Sequence, residues 1–234
     1  MSFVYNNKNY KILGMKNEEY NSFRELEFLE TIKTIVPSGS VCIDIGANVG
    51  SHTVFLASEI GARKVFSFEP IPMVFDVLKH NITVNNITDK VIAYNIAISS
   101  KNKNLKCISK LPDYHGSYWL WYSEEDYKHP YDRGYKVHKG CDGSAYTNEI
   151  KSDKLDSVMK NENFDEIDFI KIDVEGMEFE VLKGARELIE THKPVLQIEV
   201  AIDNNENISK FLSEFNYKRI RGVFKNENQL WCQK

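Results

Sequence analysis

The stretch Val41-Cys-Ile-Asp-Ile-Gly-Ala-Asn-Val-Gly-Ser-His-Thr53 decides how this chain is read. The apolar run Val41 to Ile45 predicts a short buried strand, and Gly46 to Gly50 a turn. Thr53, Leu56, Ala57 and Ile60 then recur at i, i+3, i+4 and i+7, one face of a helix. Strand, glycine loop and helix build a nucleotide site at the carboxyl ends of the strands in α/β sheets. Gly46 and Gly50 are expected to let the backbone approach a ligand where a Cβ would obstruct it. The spacing, however, is Asp-x-Gly-x-Asn-x-Gly rather than the dinucleotide pattern Gly-x-Gly-x-x-Gly, and the acid Asp44 precedes the loop. A carboxylate there suits a cationic or hydroxyl-bearing ligand better than a pyrophosphate. That favours the amino-acid end of S-adenosylmethionine.

Downstream, Lys64-Val-Phe-Ser-Phe-Glu69-Pro70 predicts a second strand closed by an acid. Glu69 follows the loop by roughly 20 residues, the spacing of the residue that grips ribose hydroxyls in such folds. An unpaired carboxylate ending an apolar strand is costly to desolvate unless it finds donors, and ribose supplies two. The alternative is that Glu69 caps the next helix.

The same alternation continues outward. A helix is expected between Glu18 and Val36, ended by Pro37-Ser-Gly39, after a lead-in that suits a short hairpin. Strands are expected at 64–69, 91–95, 167–173 and 195–200, and helices at 51–60, 72–85, 178–191 and 207–215. A last hairpin, 217–224 with 228–233, would turn at Asn226-Glu-Asn228. Strands alternating with helices imply a mostly parallel sheet covered on both faces, with an antiparallel edge from the hairpin. The domain plan is a lead-in and helix over 1–37, then one α/β domain over 38–234 with an insertion near 112–150.

Composition narrows the class. With 234 residues, 42% of them hydrophobic, the chain can bury a full core. A net charge of −4 argues against general nucleic-acid binding. No apolar run approaches the ~20 residues of a membrane span, and Met1-Ser-Phe-Val-Tyr-Asn-Asn-Lys8 lacks the apolar core of a secretory signal. Cys42, Cys107, Cys141 and Cys232 are scattered, which disfavours structural zinc and a disulfide framework, leaves Cys42 as a core residue and fits the cytoplasm.

Farther along, Lys171, Asp173 and Glu175 alternate in Ile170-Lys-Ile-Asp-Val-Glu-Gly176, so they are expected to share one face of a strand. Three ionisable groups on a central parallel strand make sense only where its carboxyl end opens on a ligand crevice. Glu199 ends the neighbouring strand in the same layer. A desolvated carboxylate among like charges has a raised pKa, which suits a general base, and Asp173 is the favoured one. The bland alternative is a structural ion-pair network around Lys171. Clustered carboxylates also suit Mg²⁺ or Mn²⁺, but a tightly bound metal is not expected.

Asp-Ile-Gly-Ala-Asn-Val-Gly-Ser-His-Thr, Phe-Glu-Pro, Leu155-Asp-Ser and Ile170-Lys-Ile-Asp-Val-Glu-Gly-Met-Glu178 together resemble the FkbM family of S-adenosylmethionine-dependent methyltransferases. Val181-Leu-Lys-Gly-Ala185 and Ile198-Glu199 extend the match, which covers roughly 38–111 and 151–234. The resemblance implies a Rossmann-like sheet of seven strands and methyl transfer to oxygen, mostly on sugars and other small metabolites. It places Asp44, Gly46, Asn48 and Gly50 in the methionine-side loop, with Thr53 facing the same pocket. Glu69, followed by Pro70, would hold the ribose, and Asn95-Ile-Ala97 would lie by the adenine, with Ala97 leaving room for the ring. Catalysis would fall to Asp173, with Glu175, Lys171 and Glu199 orienting the acceptor.

The insertion departs from that pattern. Tyr118, Trp119, Trp121 and Tyr122 lie in a stretch of Tyr, Trp and His without sustained period, expected to be a long loop or short strands. Aromatic rings with polar tips suit a sugar; a mini-core or homodimer contact is the structural alternative. His115, His129 and His138 lack metal spacing, and His52 is expected to serve packing or solvent contact. The leading function is thus an O-methyltransferase acting on a carbohydrate or glycoconjugate. A nicotinamide-dependent oxidoreductase and a non-catalytic cofactor- or glycan-binding module are the alternatives.

Overall fold

In the computed structural model, residues 2–14, 20–109, 118–121, 149–200, 205–220 and 228–233 are described, with 106–109 and 118–121 as backbone. The chain opens with two antiparallel strands, β1 (Phe3–Tyr5) and β2 (Lys8–Tyr10), turning at Asn6 and Asn7. Then follow α1 (Leu26–Lys33), β3 (Val41–Ile45), α2 (Ser51–Phe55) continuing into one π-helical turn (Leu56–Ile60), β4 (Lys64–Phe68), α3 (Pro72–Val84), β5 (Val91–Tyr94) and β6 (Ala97–Ile98). The short strands β7 (Lys106–Ser109) and β8 (Tyr118–Trp121) pair antiparallel. The remainder is β9 (Ser152–Asp153), α4 (Leu155–Met159), β10 (Phe169–Ile172), α5 (Glu178–Gly184), α6 (Arg186–His192), β11 (Val195–Glu199), α7 (Asn205–Ser213), β12 (Tyr217–Ile220) and β13 (Asn228–Gln233).

Seven strands form the main sheet in the order β12-β13-β11-β10-β3-β4-β5. From β11 to β5 all pairs are parallel, and β13 runs antiparallel to both β11 and β12. This is the architecture expected from the sequence. Period-2 alternation sorts the core into two layers. Val41, Ile43 and Ile45 of β3 join Ile170 and Ile172 of β10 in the cluster that includes α5, α6 and α7. Cys42, Val65 and Phe169 face the opposite layer, with α1, α2 and α3. Because β3 and β10 are buried on both faces, every ionisable group on them must find a partner inside.

Several boundaries differ from expectation. The first helix is confined to Leu26–Lys33: Glu25 adopts φ 53°, which a helix interior does not allow, and residues 15–19 lie outside the described segments. The helix expected over 178–191 is broken at Ala185, where Gly184 passes so close to the chain that a Cβ would lie 2.0 Å from the Ser99 carbonyl oxygen. Strand β10 ends at Ile172, so the acids beyond it sit in a turn rather than on a strand. The turn of the last hairpin lies outside the described residues.

The amino-terminal strands are fastened to the π-helical turn. Glu59 accepts from Asn6 Nδ2, Tyr10 OH, Lys8 Nζ (3.0 Å) and Lys33 Nζ (2.9 Å), and only 2% of its side chain is exposed. Burial alone would raise its pKa, yet the hydrogen bonds from Tyr10, Asn6, Lys33 and Lys8 outweigh it and hold the carboxyl down at about 2. Phe23 is buried in a cluster of Phe3, Tyr5, Tyr10 and Phe55 rings, centroids 4.8–5.6 Å away. Among the described residues no helix is long and apolar enough to cross a membrane.

Candidate active site

A cavity of about 230 Å³ opens at the carboxyl ends of β3, β4, β10 and β11, room for an organic ligand rather than a lone ion. One wall is the loop after β3. Gly46, Asn48 and Gly50 alternate in the left-handed region, with φ of 77°, 52° and 90°. Asn tolerates this conformation because its side chain bonds locally, and Asn48 Oδ1 accepts from the Val49 N–H at 2.7 Å. The expectation that these glycines make room for a ligand is corrected in part. A Cβ on Gly46 would fall 1.8 Å from the Asp173 carbonyl oxygen, and one on Gly50 would fall 2.5 Å from Leu78 Cδ1. Their space is taken by protein. Gly46 and Asn48 line the cavity, whereas Gly50 is not among its lining residues.

Glu69 lines the same cavity and meets the start of the next helix. Its Oε1 accepts from the Ile71 N–H (2.9 Å), at the start of α3, and its Oε2 from the Asn48 N–H (3.0 Å), so one carboxylate ties the loop to the helix. It is 6% exposed, and burial pushes its pKa up to about 7 against those two bonds. Pro70 and Ala97 also line the cavity, with Ile96 and Ile98 beside them. Asn95 is placed differently: its Nδ2 donates to the carbonyls of Glu69 (2.9 Å) and Pro70 (3.0 Å), so it shapes the wall from outside.

Asp44 and Thr53 lie underneath this wall. Both are wholly buried, and neither is among the residues that line the cavity. Thr53 Oγ1 donates to Asp44 Oδ2 at 2.7 Å and lies 2.9 Å from Ser67 Oγ. Lys171, in register with Asp44 on the adjacent strand, sets Nζ 3.4 Å from Asp44 Oδ1, 3.1 Å from Asp173 Oδ2 and 3.2 Å from the Gly46 carbonyl. Burial works against the Lys171 charge, but Asp173 and Asp44 outweigh it and hold the ammonium above its ordinary range. A buried cation thus joins the floor of the site to its acidic edge.

That edge is acidic: Asp173, Glu175 and Glu199 line the cavity with Lys171. Asp173 keeps 29% of its side chain exposed. Its pKa is lowered, contrary to the expected rise. Burial acts upward, but the Lys171 charge and a hydrogen bond with Glu199 carry it well below the usual carboxylate range. The raised group is Glu199, driven up by its hydrogen bond to Asp173 and by burial. A hydrogen bond thus joins the two acids, with the Asp173 pKa held down and the Glu199 pKa raised. Glu175 belongs to the turn after β10, with φ 58°, followed by Gly176 at φ 107°.

Sequence reasoning missed the fourth side. Arg24 and Glu25, from the segment before α1, line the cavity, and so does His52. Glu25 Oε2 lies 3.2 Å from His52 Nε2, a contact that lowers the Glu25 pKa against burial, while Asn228 Nδ2 donates to Glu25 Oε1 at 3.3 Å. His52 thus lines the cavity as well as packing beside Phe28, ring centroids 6.3 Å apart. No sequence pattern marked them; the signal lies in the backbone. Among the described residues eight non-glycine residues have positive φ; five are Asn, and both glutamates, Glu25 and Glu175, line this cavity. Such outliers gather at functional sites. Of the aromatic residues singled out, Tyr118, Trp119 and Trp121 form β8, described as backbone, and Tyr122 lies outside the described residues. The segment carrying them leaves after β6 and returns through β9, which pairs with β6 in parallel beside Ala97.

Comparison with known proteins fits this geometry. The profile of the methyltransferase FkbM domain matches residues 44–219. The methyltransferase sdnD of Sordaria araneosa is 29% identical over 163 residues, 65% of this chain and 62% of that protein. The hexuronic acid methyltransferase AglP of Haloferax volcanii is 26% identical over 172 residues, 73% of this chain and 60% of that protein. The chain thus spans about three-fifths of the length of these curated relatives. Among solved structures, the methyltransferase FkbM of Methylobacillus flagellatus aligns with a TM-score of 0.53 at 20% identity, over 83% of this chain and 43% of that one. With the domain matched over residues 44–219, most of its sequence, this chain belongs to the FkbM methyltransferase family.

Proposed function

We propose that this chain is an S-adenosylmethionine-dependent O-methyltransferase acting on a hydroxyl of a carbohydrate or glycoconjugate. The observation that carries the donor half is Glu69. A buried carboxylate lining a cavity, its pKa pushed up to about 7 against two backbone N–H donors and the Lys171 charge, would be stabilised as an anion by two hydroxyl donors, which a ribose presents. Ile96, Ala97 and Ile98 next to it offer an apolar wall for a base. S-adenosylmethionine would supply a methyl group activated on a sulfonium.

At the acidic edge Asp173 would accept the acceptor proton. As the carbon–sulfur bond breaks and the carbon–oxygen bond forms, the attacking oxygen becomes strongly acidic. A carboxylate held ionised by Lys171 is therefore base enough, and Glu199 keeps it hydrogen-bonded. The rate then comes chiefly from positioning. Carbohydrate specificity is supported by a relative named as a hexuronic acid methyltransferase and by the aromatic strand β8, the proposed bearer of the acceptor-binding Tyr118, Trp119, Trp121 and neighbouring Tyr122. The family match favours this reading over an oxidoreductase, and the intact ionisable edge favours it over a non-catalytic module.

Calorimetry with S-adenosylhomocysteine and with NAD tests the donor; binding of NAD alone would overturn it. Transfer of labelled methyl to a sugar panel tests the acceptor. The product should be a methyl ether that survives mild base; a base-labile ester would place the methyl on a carboxylate and overturn the hydroxyl assignment.

A further inference from the structure

The methionine end of the proposed donor carries a carboxylate, and the cavity must supply a cation for it. Among the described lining residues, three side chains can be cationic: Arg24, His52 and Lys171. Lys171 is committed to Asp44, Asp173 and the Gly46 carbonyl. His52 is committed to Glu25. Among the described residues, the Arg24 guanidinium has a long 3.5 Å contact to Tyr20 OH and a position over that ring, and no carboxylate partner.

Arg24 is also held in place from three directions, although its own side chain is exposed. Before it, Phe23 is sunk in the aromatic cluster. Its backbone N–H donates to Ser51 Oγ at 2.9 Å, directly after the loop Gly46–Gly50. After it, Glu25 is pinned by His52 and Asn228 at the expense of a left-handed backbone. Among the described residues, only Tyr20 engages the guanidinium that this arrangement holds at the cavity. Arg24 also precedes the stretch matched by the family profile, 44–219.

We propose that Arg24 binds the carboxylate of the methionine moiety of the methyl donor. A guanidinium presents paired donors to a carboxylate, and its charge is kept at any working pH. This inference rests on the donor assignment above. It makes the amino-terminal segment a working part of the cofactor site, beyond its role as a lead-in.

The test compares two ligands on the whole chain. S-adenosylhomocysteine carries the carboxylate; 5′-methylthioadenosine keeps the adenosine and thioether and lacks it. Arg24→Gln is expected to weaken S-adenosylhomocysteine by about tenfold or more, the worth of a charge-assisted contact at a partly exposed site. Binding of 5′-methylthioadenosine should stay within about twofold, and Arg24→Lys should recover part of the loss. Unchanged S-adenosylhomocysteine affinity in Arg24→Gln, or an equal loss for both ligands, overturns the proposal while leaving the donor assignment standing. A native chain that binds neither ligand takes the donor assignment down with it.

Discussion

The two halves of the cavity rim satisfy their polar groups in different ways. On the β3–β4 side the backbone does it. Asn48 and Ile71 donate to Glu69, Asn95 ties the carbonyls beyond it, and Gly46 and Gly50 give way to protein neighbours. On the β10–β11 side charged side chains meet one another: Lys171 lies between Asp44 and Asp173, and Asp173 is hydrogen-bonded to Glu199. A backbone-built wall is rigid and suits an invariant ligand such as a cofactor. A wall of paired charges responds to whatever binds, because removing one member leaves another unpaired in a poor solvent for ions. Mutations should therefore act locally on the first side and in a concerted way on the second.

The largest expected effect falls on the charged side. Asp173→Asn keeps the shape of the side chain and removes its ability to take a proton. Transfer should slow by roughly 10²–10⁴, the usual worth of a general base, while affinity for S-adenosylhomocysteine changes little. Single-turnover transfer of labelled methyl reads the first quantity and calorimetry the second. A rate near that of the native chain would move the proton to Glu199 or to solvent and dissolve the asymmetry between the two halves.

Next comes Lys171→Met, which strips the cation from two carboxylates at once. Breaking a buried pair by removing one partner costs about 3–5 kcal/mol, so the denaturant midpoint should fall sharply. Adding Asp44→Asn should restore a good part of it, because the amide needs no counter-charge. If the double variant were no more stable than Lys171→Met alone, the ion pair at 3.4 Å would not be the reason for the loss.

This contrast also sets how much could be read from the sequence. Strands β3, β4 and β10 and the helices α2 and α3 follow from hydrophobic period, which depends on burial alone. The placing of Asp44 does not. A strand-end acid before a glycine loop reads as ligand-facing, and only the register that sets it opposite Lys171 shows it is a floor residue. Asp173 and Glu199 were legible as members of one cluster, but their opposite pKa shifts depend on which oxygen meets Nζ. Arg24 and Glu25 were hidden by their helix-compatible surroundings. What stops the helix at Leu26 is a left-handed Glu25 held by His52, a contact 27 residues away in sequence.

The backbone-built side is sharpened by pH. Burial raises the Glu69 pKa from about 4.5 to about 7. Its ionisation is therefore disfavoured in the folded chain, whose stability from this group falls as pH climbs from about 4.5 through about 7. A ribose that donates to the carboxylate favours the ionised form, so S-adenosylhomocysteine affinity should rise across the same window, by about tenfold at most between pH 6 and 8. Glu69→Gln should flatten that rise. A pH-independent affinity in the native chain would mean that Glu69 serves only the loop and the helix.

The smallest effect lies away from the cavity, and it tests whether the amino-terminal segment depends on its own anchor. Glu59 holds Lys8, Lys33, Tyr10 and Asn6 with a pKa lowered to about 2, so its contribution is present above about 4.5 and is lost as pH falls toward 2. Glu59→Gln keeps the hydrogen-bonding shape and removes the charge. Lys8 and Lys33 are partly exposed and can turn to water, which limits the loss to about 1–2 kcal/mol. In a domain of this size that lowers the thermal midpoint by a few degrees at neutral pH, and the difference from the native chain should close below pH 3. Cofactor affinity should hold, because Phe23, Ser51 and His52 fix residues 23–25 independently of Glu59. If affinity fell along with the melting temperature, the strands β1 and β2 would be setting the position of Arg24, and the boundary between lead-in and site would move to the start of the chain.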